Sequence, residues 1–328
     1  MSWGLIQVGL ALWWASLLLT STAIAVLYPA IRPSLAAVVP AQRAFGLRVL
    51  GVAPLVVATL FTVACFAPKL VGSFVPHLDH CAAHDDHHIH LCPNHPPEVV
   101  FGSWSWWVIA LAVLAAATMA GRYAWRVFGS WRTTRTLLRV AARDERRGVW
   151  VVPAPEPFAW SLGLGDRRTI VSTALQDCLD DRALDVVLEH EAAHRDRRDG
   201  WWRVVVGLAS WTHLPVVARR LHADLELAGE QACDERAARR AGDPLEVAGV
   251  ILRVARLRAG CSAPGPALLA VDAGPVDARV HALLREDPYV RCGRRLLLVV
   301  AGGLALSATL LADPLHHAVE TVLHVLVG

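Results

Sequence analysis

From Trp3 to Leu27 the chain carries no charged residue. A helix of that length crosses the roughly 30 Å hydrocarbon core of a bilayer. Within lipid every backbone amide must find its partner inside its own segment, so as a span this stretch would be a helix. Three further apolar blocks follow. Val49 to Ala67 contains Pro54, a point where a membrane helix can kink. Phe101 to Ala120 opens on Trp104, Trp106 and Trp107, which form an interfacial belt. Leu296 to Ala312 is at the short end of the allowed range. Composition agrees: 55% of the 328 residues are hydrophobic, against about 45–50% in soluble domains.

Flanking charge orients these spans. Arg32, Arg43 and Arg48 lie between spans one and two, with no acid among them. Arg122, Arg126, Arg132, Arg135 and Arg139 follow span three, and Arg291, Arg294 and Arg295 precede span four. The 68–100 loop instead sets Lys69 against Asp79, Asp85, Asp86 and Glu98, and the tail after Ala312 has acids and no Lys or Arg. One topology satisfies all of these: both termini outside, with the segment 129–291 in the cytoplasm. The N-terminus lacks a basic leader, so span one reads as an anchor. The net charge of +3 is modest and no nucleic-acid motif is present, so direct nucleic-acid binding is not expected.

The segment 129–291 is long enough for one compact domain. Arg132 to Arg147 reads as a helix. Trp150–Val152 and Thr169–Val171 read as short strands, and Leu245–Leu257 as an amphipathic helix. The strand near Arg168–Ser172 is either an exposed edge that pairs with an extended substrate or an ordinary buried strand. Trp201 to Ala218 is apolar but carries Arg203, His213 and Pro215. A full crossing there would part the two halves of the site described next. It therefore reads as an interfacial or buried helix.

Within this domain His190-Glu191-Ala192-Ala193-His194 spells H-E-x-x-H. On a helix the two histidines are one turn apart on one face, and together they can grip one Zn2+. Glu191 can reach a water on the metal as general base without being a ligand. Asp180 or Asp181 can cap this helix, and Gly200 can close it or mark a break. A second helix, Val216 to Ala241 with Gly242 as its stop, offers Glu230 as third ligand. Asp234, one turn on, would hold a ligand histidine by its other ring nitrogen. Glu226 and Cys233 are rival ligands. Asp199 could orient a histidine, although the run Arg195–Asp199 reads first as a solvated charged end. For the oxyanion of peptide hydrolysis, His213, His222 and Arg236 are the candidate donors.

The loop before span three concentrates His77, His80, Cys81, His84, His87, His88, His90, Cys92 and His95, together with Asp85 and Asp86. Such a cluster suits Zn2+ or copper, and would make the loop a metal sensor. A Cys81–Cys92 disulfide or a plain solvated loop are the alternatives.

Four runs also carry a family resemblance: Pro157–Gly163, Arg167–Leu175, Val187–His194 and Glu230–Asp234. Together they resemble the beta-lactam-sensor (BlaR/MecR-type) membrane metallopeptidases. HtpX-type and prenyl-protein-processing membrane proteases look similar over the zinc helices. The resemblance implies one catalytic zinc held by His190, His194 and Glu230, with Glu191 as base and Asp234 in support. It implies an α-helical membrane protein with four transmembrane helices and a cytoplasmic α+β gluzincin-like zinc metalloprotease domain. The layout would be three spans in 1–128, with the extracytoplasmic loop at 68–100, the peptidase domain in 129–291, and span four with a short tail in 292–328. A multi-pass protein of the bacterial cytoplasmic (inner) membrane is expected, signalling by proteolysis; a housekeeping protease for membrane-protein quality control and a non-catalytic metal-sensing transducer are the alternatives. Its expected partners are the lipid bilayer and a protein substrate such as a winged-helix transcriptional repressor; a homodimer is left open. The sensors of that family carry a large penicillin-binding domain after the last span, and here only residues 313–328 follow.

Overall fold

The computed structural model describes residues 3–72, 104–161, 168–259, 275–286, 289–291 and 312–327. The histidine- and cysteine-rich stretch from His77 to His95 and the body of expected span four lie outside them. Three long helices come first among the described elements: α1 (Trp3–Ala36), α2 (Pro40–Gly72) and α3 (Trp104–Val140). Each is long and apolar enough to cross a membrane. Leu18, Leu19, Leu60, Leu111 and Leu114 stand exposed along them. Such surface is a liability in water and ordinary against lipid, so the three helices fit a membrane protein.

All three run further than their apolar blocks. α1 continues through Pro29 and Pro33, which leaves only residues 37–39 as a connection to α2. Arg32, Arg43 and Arg48 therefore ride on helices. α3 passes through Gly129, so the expected border between spans and domain falls inside one helix. The helix expected over Arg132–Arg147 stops at Val140. Strand β1 (Ala142–Asp144) then pairs antiparallel with β2 (Val149–Val152). Asp144 Oδ1 accepts the amides of Arg146 and Arg147, and Gly148 adopts φ +66. An Asx-type turn and a left-handed glycine favour a hairpin here over a helix.

β3 (Ala159–Ser161) and β4 (Thr169–Ser172) complete a four-stranded sheet in the order β1-β2-β4-β3. β4 pairs parallel to β2 and antiparallel to β3. It is thus interior and fully buried, and the edge beside it is β3. The Arg168–Ser172 stretch is the ordinary buried strand rather than the substrate-pairing edge.

Helices α4 (Thr173–Cys178), α5 (Asp181–Asp196), α6 (Asp199–Ala209), α7 (Pro215–Ala241), α8 (Pro244–Ala259) and α9 (Val276–Leu283) follow. Their caps match their residues. Asp180 accepts the amide of Ala183 at the start of α5. Gly242 closes α7 at φ +80. Between α5 and α6 the left-handed residue is Arg198, at φ +56, and Gly200 falls inside α6.

α7 belongs to two cores. Its first half (Val217, Leu221, Leu225) packs with Tyr28, Ala44, Leu47 and Val206 of the long helices and α6. Its second half (Ala237, Ala238) packs with Val171, Leu184, Val247 and Ile251 of the sheet, α5 and α8. The α6–α7 hairpin wedges among the three long helices. Its tip sets Trp211 beside Trp13 and Trp14 at 6.4 and 5.9 Å between ring centroids. There His213 Nε2 donates to the Gly51 carbonyl at 3.1 Å. At about 16 Å, α6 is too short to cross a bilayer. The chain turns back at Pro215, where α7 begins. The last described helix, α10 (Ala312–Val327), stands where a short tail was expected, and its Val319 packs against Val8 and Cys65.

Candidate metal centre

α5 and α7 lie side by side, and the facing turns carry His190, His194 and Glu230. The two Nε2 atoms are 3.1 Å apart. Glu230 Oε2 lies 3.4 Å from His190 Nε2, and its Oε1 lies 3.3 Å from His194 Nε2. Donor atoms bound to a tetrahedral zinc at about 2.0–2.1 Å are separated by roughly 3.3 Å. The three donors therefore fit one such ion. Glu226, one turn earlier on α7, is not part of this cluster.

The outward ring nitrogens are both spoken for. His190 Nδ1 meets Asp234 Oδ1 at 2.8 Å, as the spacing on α7 predicts. His194 Nδ1 meets Asp199 Oδ2 at 2.8 Å. Once an imidazole is neutral, a carboxylate on Nδ1 holds the remaining proton there and leaves Nε2 with the lone pair that a metal would take. Asp199 is 7% exposed, which corrects its reading as part of a solvated charged end. The left-handed turn at Arg198 folds it back under His194. Cys233 stands outside this set; its thiol, 3.8 Å from Asp199 Oδ2, groups with His194 and Asp199 as a second cluster of possible metal donors behind His194.

Two arginines escaped the sequence reading. Arg279 of α9 binds both oxygens of Asp234 and lies 3.1 Å from Glu230 Oε2. Arg48 of α2 donates to Asp199 Oδ1. Neither lies in a recognisable motif.

Burial opposes every charge in this cluster, yet the charges hold one another. Burial pulls His190 down, but Asp234 and Glu230 outweigh it and raise its pKa to about 10. His194 is raised against burial by Cys233, Glu230 and Asp199. Burial likewise pushes Glu230 up, and the two imidazoles bring it well below the usual carboxylate range. Asp199 and Asp234 are lowered in the same way by the histidines and arginines around them. The pocket between the histidines thus favours positive charge, which a divalent ion supplies.

The cluster opens into a cavity of about 860 Å³. Glu191 lines it beside the histidines. One wall is a face of α3 with Trp131, Thr134, Arg135 and Leu138; another is edge strand β3 with Ala159, Trp160 and Ser161. Away from the metal cluster, the charged residues lining it are Arg135, Arg139, Arg168, Arg203 and Arg258, with no acid among the described residues. His213, His222 and Arg236 do not line it. His213 is committed to Gly51, and Arg236 to Glu189 and Asp196. None of the three is placed to meet an oxyanion.

Compared with family models, with characterised proteins and with solved structures, the chain finds no match.

Proposed function

We propose that this chain is an integral-membrane zinc endopeptidase of the gluzincin kind, with four spans, its catalytic domain in the cytoplasm of a bacterial cell and both termini outside. The observation that carries this reading is the convergence of His190, His194 and Glu230, each histidine backed by its own carboxylate, in a cleft that also presents Glu191. A purely structural metal site is closed by four protein ligands, whereas three ligands beside a cleft leave room for chemistry.

His190, His194 and Glu230 would hold the ion. When bound, zinc supplies a Lewis acid that polarises the scissile carbonyl and acidifies water. The chain's own groups do the rest. Among the described residues β3 is the outer strand of the sheet, an edge along which an extended substrate would pair. Glu191 takes a proton from the attacking water as its oxygen adds to the carbonyl carbon, then delivers that proton to the amine as the C–N bond breaks. Asp234 and Asp199 keep the imidazoles from turning while charge develops.

The resemblance to beta-lactam sensors supports a regulatory role with a cytoplasmic repressor as target. The experiment is a comparison of cells carrying the native chain and Glu191→Gln. The variant should retain metal and lose cleavage by about 10²–10⁴-fold, stabilising one cytoplasmic protein. Stabilisation of many damaged membrane proteins would point to quality control instead. Retained cleavage would remove Glu191 from its role, and metal-free protein would end the zinc reading.

A further inference from the structure

Two arginines of α2 reach the metal centre from within the membrane helices. Both are buried: Arg43 is 9% and Arg48 8% exposed. Arg48 donates to Asp199 Oδ1, while the other oxygen of that carboxylate holds His194. Arg43 donates to Gln231 Oε1, next in chain to Glu230. Gln231 in turn donates to the Ala278 carbonyl at 2.9 Å, beside Arg279 and its grip on Asp234. Each half of the ligand set is thereby tied to one membrane helix.

Arginines at the cytoplasmic end of a span ordinarily face headgroups and water. These two are withdrawn from both. A buried guanidinium is costly unless well paired; that of Arg48 sits over the Trp202 ring, 5.5 Å from its centroid, and among the described residues its Nε has no hydrogen-bond partner. General stability is therefore a poor account of Arg48. Its position on Asp199 is a better one. Arg197, His194 and the Cys233 thiol all meet Oδ2. Among the described residues Arg48 alone meets Oδ1, so it fixes the rotation of the carboxylate that aims His194.

We infer that Arg48 is a positioning residue for the metal ligand His194, and that through it α2 sets the geometry of the metal centre. The inference rests on the zinc reading above. It gives the membrane helices a direct hold on the chemistry. α2 is one continuous helix, and near its other end Cys65 packs with Val319 of α10. Those two points on α2 are about 25 Å apart along its axis. A turn or slide of the helix would pull directly on Asp199.

The test uses the full chain in lipid nanodiscs, loaded with Co2+ alone. Affinity is read by chelator competition and ligand geometry by the cobalt d–d absorption. Arg48→Met should weaken Co2+ binding by about 10–100-fold, the usual effect of losing an outer partner of a ligand, and should alter the spectrum. Arg48→Lys should recover part of both. Arg32→Ala is the control. It removes the α1–α7 contact of Arg32 with Asp224, which does not touch the cluster, and should leave affinity and spectrum native. Native affinity and spectrum in Arg48→Met overturn the proposal, as does an equal loss in Arg32→Ala. Should Arg48→Met not fold, Arg48→Gln takes its place with the same expectation; if that also fails to fold, Arg48 is structural and the proposal falls. A native chain that binds no Co2+ is a separate result, which overturns the zinc reading itself.

Discussion

Asp234 and Arg279 lock together through two hydrogen bonds, 2.7 and 2.8 Å long, with the carboxylate 1% exposed. The same Asp234 holds His190. α9 thus steadies a histidine on α5 through a carboxylate on α7. Asp234→Ala should free the imidazole and leave Arg279 to Glu230 alone. Metal affinity should fall by about 10–100-fold, and unfolding free energy by about 3–5 kcal/mol, since a buried cation loses its main partner. Chelator competition and thermal unfolding in nanodiscs measure the two. Native values in both would deny Asp234 its supporting role.

How much of this was legible beforehand follows the range of the interactions. The spacing of His190, His194, Glu230 and Asp234 is local to two helices, and the start at Asp180 and the stop at Gly242 are local too, so the sequence reading finds them. Asp199 is local in sequence but not in environment. Its burial depends on a non-glycine left-handed turn at Arg198 and on Arg48, which lies far away in the chain. Arg43 and Arg48 read as membrane flank, and Arg279 stands in no motif at all, because only tertiary packing turns the three inward. β1 and β3 have three residues each, too few for a period to register. Which strand lay at the edge depended on pairings that no single strand encodes.

The contact between α6 and α3 is close enough to test by one methyl group. A Cβ on Gly207 would collide with the phenol of Tyr123, whose hydroxyl donates to the Arg203 carbonyl at 3.0 Å. Gly207→Ala should cost about 1–3 kcal/mol by overpacking. Adding Tyr123→Ala should recover part of that loss, a non-additivity expected of touching residues. Thermal unfolding of the single and double variants decides it; simple additivity would mean that the helices are not in contact there.

The cleft's charge should select substrates. With Arg135, Arg139, Arg168, Arg203 and Arg258 around it, a segment carrying Asp or Glu should be cleaved with about tenfold higher kcat/KM than its Lys counterpart, and the gap should narrow in high salt as exposed charges are screened. Arg258→Glu, on the α8 wall, should shrink the preference while leaving metal content native. Matched acidic and basic peptide pairs measure it. Equal rates for both members would show that these arginines serve the membrane surface and not the substrate.

Proton release should accompany metal binding, and its pH dependence follows from the cluster's charges. In protein freed of metal, burial lowers His190, but Asp234 and Glu230 raise it to about 10, from about 6.5 when unfolded. A histidine raised on folding contributes its full stability below the unfolded value and loses it as pH climbs through about 10. Glu230, Asp199 and Asp234 are depressed instead. Their contribution is present above the ordinary carboxylate range, about 4, and is lost as pH falls through their folded values. Metal-free protein should therefore be most stable from about pH 4 to 6.5 and weaken steadily toward 10. Zinc must expel the imidazole protons to bind, so its apparent affinity should rise over the same alkaline span. Calorimetric titration at pH 7 in two buffers of different ionisation heat gives the number of protons released. At least one is expected, and a count of zero would mean that the histidines are already neutral and the cluster does not hold charge in this way.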